Sequence, residues 1–243
     1  MIYSSKQNKL IKSVYSLKDK KGRISQGLYV VEGFKMVLEA ISAGAPIERI
    51  FGTEEALSKL NANGYEIVTV SPEVFSYISS EVTPQGVLAT VKVPKTKAVA
   101  PTKNALVLDG VSDPGNMGTI IRTACAFGFN DIYLVNCTDP YAPKAVRASM
   151  SGIYFVNLYK VDYEGLFSAL SGYDILSLDM GGEDIASVKV SKKFALVVGN
   201  EANGLSSEIT AKTSKFISIP MREHSESLNA GVAVSIAMYK LSN

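Results

Sequence analysis

Three short runs in the second half of the chain are apolar at nearly every position: "ALVL" at 105–108, "DIYLV" at 131–135 and "ALVV" at 195–198. A strand with one wet face alternates apolar and polar residues, so unbroken runs need cover on both faces. The stretches between them carry apolar residues at helical spacing, and strands alternating with helices form parallel sheets with helices packed on each side. The expected class is therefore α/β. Strands at "IYFVNLY", "DILSL" and "KFISIP" and helices at 119–127, near 143–150, at 164–170 and at 227–241 complete this part. In the last helix Val232, Ala233, Val234, Ile236, Ala237 and Met238 leave no watery side. Such a helix is expected to pack on the sheet and on a second subunit.

The first part alternates in the same way. Leu10, Ile11, Val14 and Leu17 make a helical stripe after Ser4 and Ser5, and "KDKKGR" is expected to close that helix as a loop. "GLYVVEG" and "GVLATVKV" read as strands, and "SPEVFSYI" as a helix with a Ser cap and a Pro in its first turn. "VPKTKAVAPTK" at 93–103 has two prolines and three lysines and develops no apolar face, which predicts a linker. The expected organisation is an N-terminal domain at 1–93, a linker at 94–103 and a C-terminal domain at 104–243.

At 243 residues with 47 % hydrophobic and 20 % charged, such a chain can bury a core without staples. Cys125 and Cys137 lack metal-ligand spacing and are expected to be reduced thiols. The single histidine, His224, argues against a zinc site and against a Ser-His-Asp triad. The start of the chain is basic, with no apolar core of a signal peptide, and "AGVAVSIAMY" is too short to span a bilayer, so a cytoplasmic location is expected. Residues 1–35 hold eight Lys/Arg against Asp19 and Glu32, 8 − 2 = +6, within an overall charge of +2. A positive lobe on a near-neutral body suits a polyanion such as nucleic acid.

Ligands of parallel sheets bind beyond the carboxyl ends of the strands. Three polar, glycine-bearing loops leave such ends: "DGVSDPGNMG", "VGNEANGLS" and "IPMREHSESLN". None is a dinucleotide fingerprint or a phosphate-binding P-loop. Asn116, Gly118, Arg122 and Ala124 form N-x-G-x-x-x-R-x-A; Gly199, Glu201 and Gly204 form G-x-E-x-x-G; "IPM" at 219–221 and "SLN" at 227–229 complete the set. In order and spacing these motifs resemble the SpoU/TrmH-type RNA 2′-O-ribose methyltransferases of the SPOUT class. The first domain is similar, more loosely, to the ribosomal-protein-like RNA-binding domain that often precedes the catalytic one, with "YVVEGFKMVLEAI" as its recognisable stretch.

The resemblance implies a C-terminal domain with a deep trefoil knot, S-adenosylmethionine as cofactor, no metal and a homodimer formed through that domain. Carried over by motif, Gly199, Ile219 and Leu228 line the cofactor pocket. Asn116, Ser227 and Asn229 are expected to set the loops and contact ribose or phosphate, and Glu201 to orient Arg122. Arg122 serves the ribose hydroxyl, either as proton acceptor or only electrostatically; a guanidinium stays protonated in proteins, which favours the second role. The reaction implied is methylation of a ribose 2′-hydroxyl, with a separate N-terminal domain leaning toward ribosomal RNA. The alternatives are a transfer-RNA methyltransferase and a catalytically silent RNA-binding or ribosome-assembly protein of the same fold. Arg222, Glu223, His224 and Glu226 stand where many relatives have smaller, more neutral residues, which bears on substrate selectivity.

Overall fold

The computed structural model describes residues 1–190, 193–222 and 227–242. They form two compact units: Met1–Pro94 with Asp139–Tyr154, and Lys95–Thr138 with Phe155–Asn243.

The first unit runs β1 (Ile2–Tyr3), α1 (Lys9–Ser16), α2 (Lys20–Gln26), β2 (Leu28–Glu32), α3 (Phe34–Ser42), β3 (Ile47–Gly52), α4 (Glu54–Ser58), β4 (Ile67–Val70), α5 (Pro72–Ile78) and β5 (Val87–Lys92). Its strands lie in the order β1-β4-β3-β5-β2, with β5 antiparallel to both neighbours and the other pairs parallel. The Ser71 hydroxyl accepts from Val74 N and starts α5 beside Pro72, as the Ser-Pro pair predicts. Ile11 and Val14 of α1 bury against Phe51, Val68, Phe75 and Leu88.

"KDKKGR" does not stay a loop. Asp19 precedes a helix that ends on Gly27 in the left-handed conformation, φ 64°. Tertiary bonds override the weak local pattern here: Gln26 Nε2 donates to Ser16 Oγ at 2.8 Å, and Arg23 Nη1 donates to the Leu17 and Lys18 carbonyls at 2.7 and 2.8 Å. Arg23 is thus 5 % exposed and adds nothing to the basic surface that the charge count assigned it.

The second unit opens with β6 (Ala105–Asp109), α6 (Pro114–Phe127) and β7 (Asp131–Val135). Next come α7 (Pro143–Ser149) and a 3-10 turn (Met150–Tyr154), both within the first unit. The second unit resumes with β8 (Asn157–Lys160), α8 (Tyr163–Ala169), β9 (Asp174–Asp184), β10 (Phe194–Val198), α9 (Ser207–Thr210), β11 (Lys215–Ser218) and α10 (Ala230–Ser242). Its strands are ordered β11-β9-β10-β6-β7-β8 and every pair is parallel. β6, β7 and β10 are buried along their whole length, as their unbroken apolar runs require.

Three boundaries differ from the sequence reading. The segment from Asp139 to Tyr154 packs in the first unit: Asp139 pairs with Arg23 at 2.8 Å and the Tyr154 hydroxyl donates to Met36 O at 3.2 Å. The proline-lysine stretch is strapped down from Lys95 onward, with Thr96 Oγ1 donating to Leu158 O and the Tyr133 and Tyr173 hydroxyls donating to Val99 O and Pro101 O. Third, α6 begins at Pro114, because Asp113 caps it by accepting from Asn116 N at 2.8 Å. "DPGNMG" is therefore a cap and the opening turn of the helix, and Arg122 sits in the third turn. Among the described residues, no helix is long and apolar enough to cross a membrane.

Candidate active site

β10 ends in a loop that closes on itself. Asn200 N donates to Gly204 O at 2.8 Å and Gly204 N donates back to Asn200 O at 2.9 Å. Asn200 Oδ1 accepts from Ala202 N and Asn203 N, and its Nδ2 reaches Gly110 O at 2.7 Å. A Cβ on Gly199 would lie 2.4 Å from the Gly204 carbonyl carbon, and Gly204 itself has φ +70°. The two glycines of G-x-E-x-x-G thus serve the loop's own fold. Below it, the buried Asp109 carboxylate accepts from Ser206 N at 2.8 Å and from the Tyr163 hydroxyl at 3.0 Å, tying the end of β6 to the start of α9.

This loop aims Glu201 at the start of α6. Its carboxylate accepts from Ser112 N and Oγ at 3.2 and 2.9 Å, from Asp113 N at 3.5 Å and from Asn116 Nδ2 at 2.9 Å. Partial burial pushes the Glu201 carboxyl up, but the Asn116, backbone and Ser112 hydrogen bonds outweigh it and hold it below the usual carboxylate range. Asn116 Oδ1 in turn accepts from Asn229 Nδ2 at 2.9 Å, and Asn229 Oδ1 accepts from Val232 N at 3.2 Å, in the first turn of α10. Further along, small residues let the two helices meet: the Ser235 hydroxyl donates to Thr123 Oγ1 at 3.1 Å.

Beside this chain of bonds lies a cavity of about 420 Å³. Gly199, Glu201, Ile219, Ser227, Leu228 and Asn229, all singled out by the sequence, line it. Val198, Ile217 and Ala233 add apolar wall. Asn116 reaches this group only through Glu201 and Asn229. Arg122 is exposed and does not line the cavity. Its expected pairing with Glu201 is not formed: the hydrogen bonds of that carboxylate go to the start of α6. Gly118 and Gly115 stand four and seven residues before Arg122, so the helix face running from it toward the N-terminus carries no side chain at those two positions, with the exposed Thr119 beside them.

The sequence reading missed Leu178, Asp179 and Met180 as cavity lining; they lie in the middle of β9, the last two beyond the strand it read. It ended that strand at "DILSL"; the signal was the Gly181–Gly182 pair, since a Cβ on Gly182 would lie 2.5 Å from Ile217 N. Arg222 is exposed, while Glu223, His224 and Glu226 lie outside the described residues. Among the described residues, no three His, Cys, Asp or Glu side chains are grouped to hold a metal ion. An apolar slot of this size with loop backbone at its rim suits a flat heterocycle with a polar tail.

The comparisons with known proteins agree with that chemistry. The 23S rRNA (guanosine(2553)-2′-O)-methyltransferase RlmP of Bacillus subtilis is 28 % identical, over 98 % of this chain and 97 % of its own. The crystal structure of an AdoMet-bound rRNA methyltransferase from Sinorhizobium meliloti is 28 % identical, with a TM-score of 0.89 over 99 % of this chain and 96 % of its own. The SpoU methyltransferase AviRb of Streptomyces viridochromogenes, in complex with AdoMet, shares the fold at 22 % identity, with a TM-score of 0.84 over 97 % of each chain. Residues 8–89 match the MRM3-like substrate binding domain. Residues 103–239, more than half of the sequence, match the SpoU rRNA Methylase family, and the chain belongs to that family.

Proposed function

We propose that this protein methylates a ribose 2′-hydroxyl of ribosomal RNA, with S-adenosylmethionine as donor held in the cavity between the β10 loop and the start of α10. The observation that carries this reading is the convergence of Gly199, Ile219 and Leu228 on one apolar slot, directly beside the Glu201–Asn116–Asn229 bonds. The slot fits the donor by its chemistry: Ile217, Ile219 and Leu228 offer walls to an adenine, and the strand-end backbone offers N–H and C=O groups to its edge. The ribosomal substrate is favoured because the likeness to RlmP runs through both units.

When bound, S-adenosylmethionine supplies the methyl group as an electrophilic carbon on a sulfonium. The chain's own residues hold the geometry. Glu201 fixes the start of α6, Asn229 fixes the start of α10, and Asn116 couples the two. Ser227 and Asn229 stand at the cavity rim, where ribose and phosphate oxygens arrive. Arg122 supports the developing negative charge on the 2′-oxygen as a permanent cation, a role in which one well-placed donor accounts for roughly 10² to 10³ in rate. Sequence motifs support its place in this list; its position on an exposed helix face leaves it accessible to RNA.

The same reading includes a homodimer and a knotted C-terminal domain. On α10, Val232, Ile236 and Tyr239 are 46, 39 and 60 % exposed and fall on one stripe, which suits a second copy. Calorimetric titration with S-adenosylmethionine, followed by labelled-methyl transfer to ribosomal and transfer RNA, tests the function. Binding with label in ribosomal RNA at a ribose is expected; binding without transfer to either RNA would favour the silent alternative.

A further inference from the structure

α1 and α5 of the first unit present a feature that the methyl-transfer chemistry does not use. The rings of Tyr15 and Tyr77 stack with centroids 4.2 Å apart and planes within 4°. An ammonium stands over each: Lys6 Nζ lies 5.5 Å from the Tyr77 centroid and Lys18 Nζ 4.8 Å from the Tyr15 centroid. Lys18 is held in place, donating to Tyr77 O at 2.9 Å, whereas Lys6 is exposed and precedes the helix. Lys9 and Lys12 continue the exposed face of α1 at three-residue steps up to Tyr15, itself 37 % exposed.

A tyrosine on a soluble surface usually buries its ring and wets only its hydroxyl. Here two rings are stacked in parallel with an ammonium over each and two further lysines along α1, so the cations outnumber the one carboxylate that faces Lys6, that of Glu73 on α5. Charge complementarity selects a polyanion, and flat aromatic faces select one whose bases are unpaired, because a duplex keeps its bases stacked on each other. Stacking of a base on an aromatic ring is stronger than an exposed ammonium–ring contact, so an incoming base can displace Lys6 from the Tyr77 face. The displaced ammonium is then free to meet the adjoining phosphate.

We propose that the Tyr15–Tyr77 pair, with Lys6, Lys9, Lys12 and Lys18, binds an unpaired segment of the RNA substrate. This rests on the reading that the substrate is RNA, and it adds where and in what form the first unit grips it. The surface discriminates unpaired from duplex RNA and carries no sequence readout of its own.

Anisotropy of the full chain with a labelled single-stranded oligoribonucleotide and with a duplex of equal length, at two salt concentrations, tests this. The variants are Tyr77→Ala, Tyr77→Leu, Tyr77→Phe and the double change Lys9→Glu with Lys12→Glu, each also titrated with S-adenosylmethionine by calorimetry. The single strand is expected to bind more tightly than the duplex. Tyr77→Ala and Tyr77→Leu should weaken it about tenfold, within the range for one base–aromatic stack, while Tyr77→Phe keeps wild-type affinity. The lysine pair should weaken binding and flatten its salt dependence. Donor binding should be the same in every variant, which separates this assignment from the function itself. Wild-type affinity in Tyr77→Leu, or a duplex bound as well as the single strand, overturns the proposal. RNA binding untouched by all variants, with loss of a protein partner instead, assigns the surface to that protein and also overturns it.

Discussion

Asn116 and Asn229, separated by 113 positions, share a hydrogen bond of 2.9 Å that joins the first turn of α6 to the first turn of α10. Asn116 spends its other polar atom on Glu201, so one side-chain amide links two of the three strand-end loops to a third. A carboxamide suits this, since its Oδ1 accepts from Asn229 while its Nδ2 donates to Glu201, and a carboxylate in its place could not donate.

That requirement gives a pH-dependent expectation. The Glu201 carboxyl is held below its usual range in the folded protein, so its contribution is fully present above the unfolded value and is lost as pH falls through the lower, folded value. Thermal unfolding followed from pH 7 downward should therefore show a smaller acid loss in Glu201→Gln than in the parent. Asn116→Asp sets a second carboxylate against Glu201 and should raise its titration, reducing methyl transfer at least tenfold at neutral pH with partial recovery on acidification. A pH profile parallel to the parent's would contradict the assigned role of this contact.

The sheet of the second unit was legible because burial on both faces leaves one signature, the unbroken apolar run, and β6, β7 and β10 all carry it. The cavity walls at Gly199, Ile219 and Leu228 were legible through their motifs. What escaped the sequence depends on partners far along the chain. α2 forms because Arg23 finds the Leu17 and Lys18 carbonyls and Asp139, none of which local periodicity reports. Asp179 and Met180 reach the cavity because β9 runs on past its apolar half to pair Glu183 and Asp184 with Ile217 and Ser218. Glu201 faces Ser112 and Asn116 instead of Arg122 because α6 starts five residues earlier than its apolar pattern suggests.

Gly199→Ala tests whether the β10 loop must close on itself for the donor to bind. The added methyl would meet Gly204 backbone at 2.4 Å, a contact that cannot be relieved by rotating a side chain. Overpacking of this kind costs about 1 to 3 kcal/mol. The variant should fold with a lowered unfolding midpoint and bind S-adenosylmethionine at least tenfold more weakly by calorimetry. Unchanged affinity would show that the loop shape does not define the site.

Arg122→Ala removes an exposed side chain with no hydrogen-bond or ion-pair partner among the described residues, so stability should stay within about 0.5 kcal/mol of the parent. Donor affinity should be retained, because Arg122 does not line the cavity. Turnover should drop by about two orders of magnitude or more. Arg122→Lys should restore little, since a point charge does not replace the planar fork. An alanine variant that transfers methyl groups at the parent rate would remove Arg122 from the mechanism.

Ile236→Glu, placed in the exposed stripe Val232–Ile236–Tyr239 of α10, separates the two uses of an apolar helix. Val234, Ala237 and Met238, fully buried on the opposite side, hold α10 to its own unit and are left intact. The parent should sediment as a dimer and the variant as a monomer of unchanged fold. Two monomeric species at micromolar concentration would refute the stripe as an interface.

Arg23 and Asp139 form a pair at 2.8 Å with side chains 6 and 8 % exposed, and Asp139 Oδ1 also accepts from Tyr141 N at 3.1 Å. Replacing Arg23 by Met keeps about the length of the side chain but takes the guanidinium away from the Asp139 carboxylate, and the Leu17 and Lys18 carbonyls lose a donor. Breaking a buried pair from one side costs about 3 to 5 kcal/mol, whereas replacing both partners with apolar residues of similar volume costs less. Urea unfolding of Arg23→Met should show a loss in that range, and the double variant Arg23→Met with Asp139→Leu should recover part of it. Equal losses in the single and double variants would mean that the carbonyl contacts of α2, and not the ion pair, hold the 139–154 segment in the first unit.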